Sequence, residues 1–527
     1  MNNTAAAGEF VEYSSATRWI ILIAVMLGTL MQVIDSSIVN VAVPQMMGNL
    51  GATTDQISWV TTGYIIANVI LLPLTGWLSS KFGRKHFLAT SMVLFTVASF
   101  FCGTSRTLDQ LVFFRVLQGA GGAALLSTAQ ATIMEIFPPA QLGMVQAIYG
   151  IGVMVGPTIG PTLGGWITDN YSWPWTFFIN IPIGIVATIL VMMFVHDSKY
   201  QSRNAGRVDF IGIALLAMGL GAFQTVLEKG NSEGWFDSTL IIRLSVAATV
   251  GLIGFVVWEL WCPNPAVNLR VLKNRGLAAG SIFGTALGFG LYGGVFILPI
   301  FLQQMRHYTA QQTGIIMLPG AIATTIAMPI VGKLVSKVAA RSLVFWGSIG
   351  VVISMVLLSQ ITLDTGPEHM FWPLVIRGAS LGFLFVPLTL ATLSGLHGKD
   401  VADASGLFNL ARQIGGSSGI AFLSTYLSHM IAIHRGTLVE NVTVYNPLAQ
   451  QRLQALQGFF MSKGASLAAA RQQALASLDG IIQGQASIKS FEDVFMISAV
   501  VFTVAIPLVF LMKRGGQLPK KGAPPTE

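Results

Sequence analysis

The sequence predicts an all-α protein that crosses a membrane many times, and three observations predict it. First, the chain is 53% hydrophobic and only 10% charged, whereas soluble domains carry about 25% charged residues. Second, uncharged runs recur along all 527 residues, each near the roughly twenty residues a helix needs to cross ~30 Å of hydrocarbon. Third, the basic residues are distributed unevenly between alternate connecting loops, as they are in membrane proteins.

The apolar runs place fourteen spans near 19–43, 57–78, 86–104, 109–134, 143–168, 175–195, 209–227, 239–261, 276–304, 313–335, 342–362, 370–395, 405–433 and 492–512. The run beginning at Trp19 is too long for a cleaved signal peptide, carries Asp35, and has no small-residue cleavage site at a suitable distance. It reads as a retained helix. Cys102 and Cys262 sit in or beside apolar spans, so neither a disulfide framework nor a cysteine metal site is implied.

The net charge of +8 is a topology signal. With a cytoplasmic N-terminus, 18 basic residues fall in cytoplasmic segments, among them Arg18, Lys81, Arg84, Lys85, Arg270, Lys337 and Lys521. The short loops opposite hold 3, namely Arg106, Lys229 and Arg306. The long segment 434–489 is exempt from such counting. This bias places both termini inside and requires an even number of spans.

The chain also repeats itself. Pro73-Leu-Thr-Gly76-Trp-Leu78-Ser-Ser80-Lys81 ends the second span, and Pro329-Ile-Val-Gly332-Lys-Leu334-Val-Ser336-Lys337 ends the tenth. Arg115-Val-Leu-Gln-Gly119 and Arg377-Gly378 then each set an arginine early in a span entered from outside. Two matches in the same order argue for duplicated halves. Parallel repeats of this kind describe two bundles with a substrate site between them. The expected units are an N-terminal six-helix bundle (1–195) and a linker with two extra transmembrane helices (196–275). A C-terminal six-helix bundle (276–512) and a cytoplasmic tail (513–527) complete the chain.

Five segments carry a family resemblance. The first span contains Val33-Ile-Asp35-Ser-Ser-Ile-Val-Asn40-Val-Ala-Val-Pro44, and the next cytoplasmic loop Gly76-Trp-Leu-Ser-Ser80-Lys81-Phe-Gly83-Arg84-Lys85. Arg115-Val-Leu-Gln118-Gly119 and Gly156-Pro157-Thr-Ile-Gly160-Pro161-Thr-Leu-Gly164-Gly165 follow, then Trp175-Thr-Phe-Phe-Ile-Asn180-Ile-Pro182-Ile-Gly184. Together they resemble the major facilitator superfamily, and within it the fourteen-helix drug:proton antiporters of the EmrB/QacA type. The resemblance implies the major facilitator fold, with two pseudo-symmetric six-helix bundles plus two extra linking helices. It implies proton-coupled export of hydrophobic or amphipathic small molecules from a bacterial inner membrane, with protons as the coupling ion and no cofactor. It also implies a periplasmic adaptor and an outer-membrane channel as partners. By the same resemblance the gating loop comprises Gly76, Ser80, Gly83, Arg84 and Lys85, and the antiporter helix includes Gly156, Pro157, Gly160, Pro161, Gly164 and Gly165. Two departures stand out: Ser80 replaces the loop's usual aspartate, and Pro174 replaces the arginine usual between the two tryptophans.

Proton movement through hydrocarbon needs an ionisable group that can gain and lose its charge, and an intramembrane carboxylate is such a group. Asp35 is the one acid that falls well inside a span; Glu135, Asp169, Glu228 and Glu259 fall at span ends, where water is expected to solvate them. Asp35 lies nine residues before Pro44, ~13 Å below the outer end. Arg115 lies about seven residues into a span entered from outside, at a similar depth. The two are the expected proton-coupling pair, and a permanent ion pair that only fixes packing is the other reading.

Gly152, Gly156, Gly160 and Gly164 recur every four residues on one helix face, which allows close backbone approach. Pro157 and Pro161 favour a bend, so this helix reads as a hinge or sealed interface. Candidates for the cavity are Gln32, Asn40, Tyr64, Asn68, Gln118, Tyr292, Arg377, Asn409, Arg412 and Gln413. Intramembrane arginines face a cavity or a partner because isolated charge in hydrocarbon is costly. For the uncharged candidates, ordinary interhelical hydrogen bonding is an equal alternative. In 434–489, Pro447 to Phe460 and Ala465 to Ile482 show helical periodicity with Gly464 between them, which predicts an outer helical hairpin, either a spacer or a docking surface.

Rival classes lack their residues. No GxxxxGK[ST] run supplies a nucleotide site for a primary pump. No filter-like loop suggests a channel, and no His/Glu cluster or nucleophile motif suggests an enzyme. Export of one specific lipid, fatty acid or metabolite on the same fold remains the alternative to drug export.

Overall fold

The structure, a computed structural model, describes residues 13–196, 208–362, 365–394, 396 and 399–511. Lys199, Arg203, Arg207, Lys513, Arg514, Lys520 and Lys521 of the charge count lie outside the described residues, and of Tyr292 among the cavity candidates only the helical backbone is described. Within those bounds the chain is a bundle of long helices, the form in which an apolar backbone satisfies its own hydrogen bonds in lipid. In order they are α1 (Ser15–Leu50), α2 (Asp55–Phe82), α3 (Arg84–Thr104), α4 (Leu108–Ile136), α5 (Pro139–Asn170), α6 (Trp175–Phe194), α7 (Phe210–Lys229) and α8 (Thr239–Trp261). There follow α9 (Arg275–Met305), α10 (Ala310–Leu334), α11 (Ala340–Leu358), α12 (Pro367–Leu393), α13 (Lys399–Glu440), α14 (Pro447–Ser462) and α15 (Leu467–Phe510).

Among the described residues, thirteen helices are long and apolar enough to cross a membrane. The fourteenth expected span, α13, is not one of them. Its N-terminal half carries Asp400, Asp403, Ser405, Asn409, Arg412 and Gln413, and it packs most extensively on α9 and also on α15, α2 and α4. Asp400 is exposed, and the other five are buried or half-buried against neighbouring helices.

Local sequence explains the breaks. Pro73 sits in a 3-10 turn, Leu72–Leu74, inside α2, and Gly83 ends that helix at φ +84°, a conformation costly for other residues. Thr309 and Gln312 form a capping box at the start of α10.

Small residues set the tightest crossings. Along α5, a Cβ on Gly152, Gly156, Gly160 or Gly164 would meet Leu30, Val33, Ser37 or Ile38 of α1 in turn. The periodic glycine face is therefore the α1–α5 interface. Helices α7 and α8 pack chiefly on one another, with Gly219 and Gly251 in backbone contact. The rest of α7 touches α2 and α13. On α8, Val246, Val250, Ile253 and Val257 point outward, a lipid-facing apolar surface.

Segment 434–489 differs from a separate hairpin. Helix α13 continues to Glu440, and the second arm is the start of α15 itself, one helix of 44 residues. A helix of 42 residues such as α13 is ~63 Å long, more than the ~40–45 Å of a whole bilayer. The outer module is thus two extended spans with α14 between them. Arg435 Nη2 donates to Asp479 Oδ1 at 2.7 Å, and His434 Nε2 meets Asp493 Oδ2 at 2.6 Å, tying the extensions together. Gly464, at φ +92°, makes the expected break before α15.

Candidate functional site

Three helices converge on one carboxylate. Asp35 of α1 and Arg115 of α4 are both fully buried, and Arg115 Nη1 donates to Asp35 Oδ2 at 2.6 Å. The other carboxylate oxygen, Oδ1, accepts from Gln118 Nε2 at 2.9 Å and from Asn180 Nδ2 of α6 at 2.8 Å. Arg115 Nη1 also donates to Gln118 Oε1 (2.8 Å) and Nε to the Val60 carbonyl (3.0 Å), Nη2 has no hydrogen-bond partner, and the guanidinium lies 4.1 Å from the centre of the Tyr64 ring. Ser99 of α3 accepts from both Gln118 and Asn180 and donates to the Phe177 carbonyl. An ionised carboxylate this deep is tolerated only because three donors, one of them a guanidinium, surround it.

Glycines bring the surrounding helices close. A Cβ at Gly119 would fall on the Tyr64 carbonyl, and one at Gly122 would meet Tyr64 Oη, Asn68 and Gln32. Asn68 Nδ2 uses this proximity to donate to the Gly119 carbonyl at 3.3 Å. Gln32 is buried with Oε1 lacking a partner, whereas Asn40 is exposed and accepts from Thr61. Asn40 therefore lies apart from the Asp35 centre.

The loop residues form a second centre at the end of α2. Arg84 is buried and ion-paired with Glu135 of α4. Ser80 donates only to its own helix, at the Gly76 carbonyl. A second acid at this turn comes from α13: a Cβ on Gly76 would strike the Asp403 carboxylate and backbone. Asp403 thus supplies negative charge near the position where the loop carries Ser80. Lys85 is half-buried beside this centre.

A third polar group joins the first and second halves of the chain. Gln130 Oε1 of α4 accepts from Ser405 Oγ (3.0 Å) and Asn409 Nδ2 (2.7 Å) of α13. Arg412 is buried, lies 5.4 Å from the centre of the Phe385 ring, and leaves Nη1 without a hydrogen-bond partner. Gln413 is half-buried beside it. Arg377 is buried on α12 and donates to the Leu291 carbonyl at 3.3 Å.

The structure changes one expectation about acids. Glu259, expected to be solvated at a span end, is 0% exposed. Its Oε1 accepts from the Val267 amide, and Oε2 has no partner. The neighbouring Asp209 is also buried, with Oδ2 unpartnered. The segment after α8 folds back over the span end and keeps water away. Ser99, Gln130, Ser405 and Asp403 are the further polar residues that the sequence gives no reason to single out, since isolated small polar residues are common in membrane helices.

Comparison with known proteins agrees with this arrangement. The sequence profile described as Major Facilitator Superfamily matches residues 25–420. The chain belongs to the major facilitator superfamily. It is 36% identical to the multidrug export protein EmrB of Escherichia coli, over 94% of this chain and 95% of that protein. It is 34% identical to the fatty acid resistance protein FarB of Neisseria gonorrhoeae, over 95% and 96%. Among solved structures, the human organic anion transporter MFSD10 superposes with TM-score 0.59 at 12% identity, covering 93% of this chain and 99% of that one. The proton:xylose symporter XylE superposes with TM-score 0.56 at 13% identity, covering 93% and 95%. This superfamily member is a multi-pass membrane transporter rather than an enzyme.

Proposed function

We propose that the chain is a proton-coupled antiporter that exports hydrophobic and amphipathic small molecules across the bacterial inner membrane. The observation that carries this reading is the Asp35–Arg115 pair, buried among α1, α3, α4 and α6. Coupling requires that one carboxylate exchange protons with alternate sides while substrate and proton compete for one state of the transporter. Protonating Asp35 removes the charge that Arg115, Gln118 and Asn180 hold, so it frees donors on α4 and α6 and loosens their hold on α1. Protons serve as the coupling ion and no cofactor takes part. Both termini lie in the cytoplasm, by the basic-residue bias. The outer extension of α13, α14 and α15 faces the periplasm and receives an adaptor protein that leads to an outer-membrane channel.

A second reading is export of one class of lipid or fatty acid, and the relative named for fatty acid resistance favours it. Proteoliposomes with an imposed pH gradient test the proposal. Wild-type protein should drive uptake of a lipophilic substrate into inverted vesicles, while Asp35→Asn stays inserted and inactive. Uphill transport by Asp35→Asn would remove Asp35 from the mechanism.

A further inference from the structure

Away from the Asp35 centre, α7 is pinned at its Lys229 end to helices of both halves. Lys229 Nζ donates to the Asp55 carbonyl at 2.9 Å and to Ser58 Oγ, both at the start of α2. Gln224 Nε2 donates to Ser417 Oγ of α13 at 2.9 Å, and Trp235 Nε1 to Thr425 Oγ1 at 3.0 Å. Between α7 and α13 these pins enclose an open-sided cavity of about 310 Å³, lined by Leu227, Trp235, Ala421, Phe422, Tyr426 and His429 with Thr425 and Ser418. That volume is at the lower end of small-molecule sites, about 300–1,000 Å³.

The cavity is built with some strain. Trp235 has φ +55°, one of two non-glycine residues with positive φ among those described. Such backbone is costly and persists where its surroundings hold it. Here the holding contacts are the bond to Thr425, a backbone bond from the Trp235 amide to the Gly230 carbonyl at 2.7 Å, and Gly230 itself. A Cβ on Gly230 would lie 2.6 Å from the Trp235 ring. The strained turn thus sets an indole as one wall, facing the stacked rings of Phe422 and Tyr426 (6.1 Å between centres).

We propose that this cavity is an auxiliary binding site for hydrophobic weak acids, with the apolar body against Trp235 and Phe422 and the headgroup at exposed His429. The ligand class follows from the lining. None of the lining residues is Asp or Glu, and Glu228, next to Leu227, is held by Gln224 Nε2 at 3.0 Å, so a desolvated cation would find no carboxylate on the wall itself. Aromatic and aliphatic walls suit an alkyl or aryl body, while His429 at the rim offers a donor to a carboxyl group. Under the topology proposed above the site lies at the level of the outer leaflet, open to lipid, where an amphipathic substrate partitions. The inference rests on the export reading for its biological role, whereas binding itself does not.

Tryptophan quenching by 12-bromododecanoic acid tests it, with the full chain in lipid nanodiscs and no pH gradient. Bromine quenches lipid-facing tryptophans in proportion to probe in the bilayer, and occupancy of the site adds a saturable component. Trp235→Phe should abolish the saturable component. Ala421→Phe, which fills the cavity while retaining Trp235, should weaken apparent affinity about tenfold or more. Quenching that is strictly linear in wild type, or equal saturation in both variants, would overturn the site. Asp35→Asn should retain saturable quenching while losing transport. Saturation in a wild-type protein that exports no weak acid would reject the export reading and leave the site standing.

Discussion

Gly143 of α5 and Gly332 of α10 face each other so closely that each backbone carbonyl occupies the space a Cβ on the other would need. Gly332 belongs to the repeated segment Pro329–Lys337, and its counterpart Gly76 is likewise pressed against Asp403 of α13. The repeated glycines therefore mark where helices of the first half meet helices of the second. Gly332→Leu should force α5 and α10 apart and cost on the order of 1–3 kcal/mol as overpacking. Its thermal midpoint in detergent should fall, whereas Gly436→Leu, at a glycine with open space around it, should leave the midpoint nearly unchanged. Equal midpoints for both variants would show that the contact is soft.

Arg115→Lys keeps the charge but loses the planar fork. Arg115 makes three separate donations, to Asp35, Gln118 and the Val60 carbonyl. A lysine ammonium on a flexible stem cannot satisfy these positions together. Transport against a gradient should fall about tenfold or more while the protein still inserts, measured in the same proteoliposomes as Asp35→Asn. Near-normal transport would mean that charge alone suffices there.

Glu259 holds a buried carboxylate oxygen with no partner beside the equally buried Asp209. Glu259→Gln removes one charge from this pair and keeps the acceptor for the Val267 amide. Its amide N–H can then donate to the unpartnered Asp209 Oδ2, which should stabilise the protein by roughly 1–3 kcal/mol, about the penalty of leaving that oxygen unsatisfied, read as a rise in thermal midpoint. A lower midpoint would mean that the buried charges themselves stabilise the fold.

Deleting the whole expected hairpin, 447–482, would cut into α15, which begins at Leu467. Replacing 441–466 with a short Gly/Ser loop removes α14 and leaves the paired extensions of α13 and α15. If that surface receives an adaptor, whole-cell resistance should be lost while transport in proteoliposomes survives. Equal loss in both assays would make α14 part of the transporter's own stability.

Thirteen of the fourteen spans and the pairing of Asp35 with Arg115 were legible because both rest on periodic or charged signals: apolar runs of span length, and two ionisable residues at matching depth. The burial of Glu259 was not, because a span end reads as wet until the following loop is placed over it. Asp403 was hidden for a related reason. It sits in the first turns of a polar helix, where an acid ordinarily meets solvent, and only the missing Cβ of Gly76 lets it approach α2. Asn180 lay within a quoted motif, yet its bond to Asp35 spans 145 positions, and no local pattern encodes that contact.

Substrate charge is where the arginines differ. Arg115 is neutralised by Asp35, and Arg377 donates to a backbone carbonyl. Arg115 and Arg412 are both buried against an aromatic ring with one guanidinium nitrogen lacking a hydrogen-bond partner, but Arg412, unlike Arg115, makes no ion pair among the described residues. A site with this residue at its edge favours neutral, weakly acidic or monocationic amphipaths over dications, since each desolvated positive charge needs compensation. Competition in proteoliposomes should rank a hydrophobic weak acid above a dicationic dye, and comparable affinities would sink the charge argument. Arg412→Ala should then weaken the weak acid about tenfold, near the value of one charged hydrogen bond, with little effect on a neutral lipophile. Uniform loss across both substrates would instead assign Arg412 to holding Phe385 and the α12–α13 packing in place.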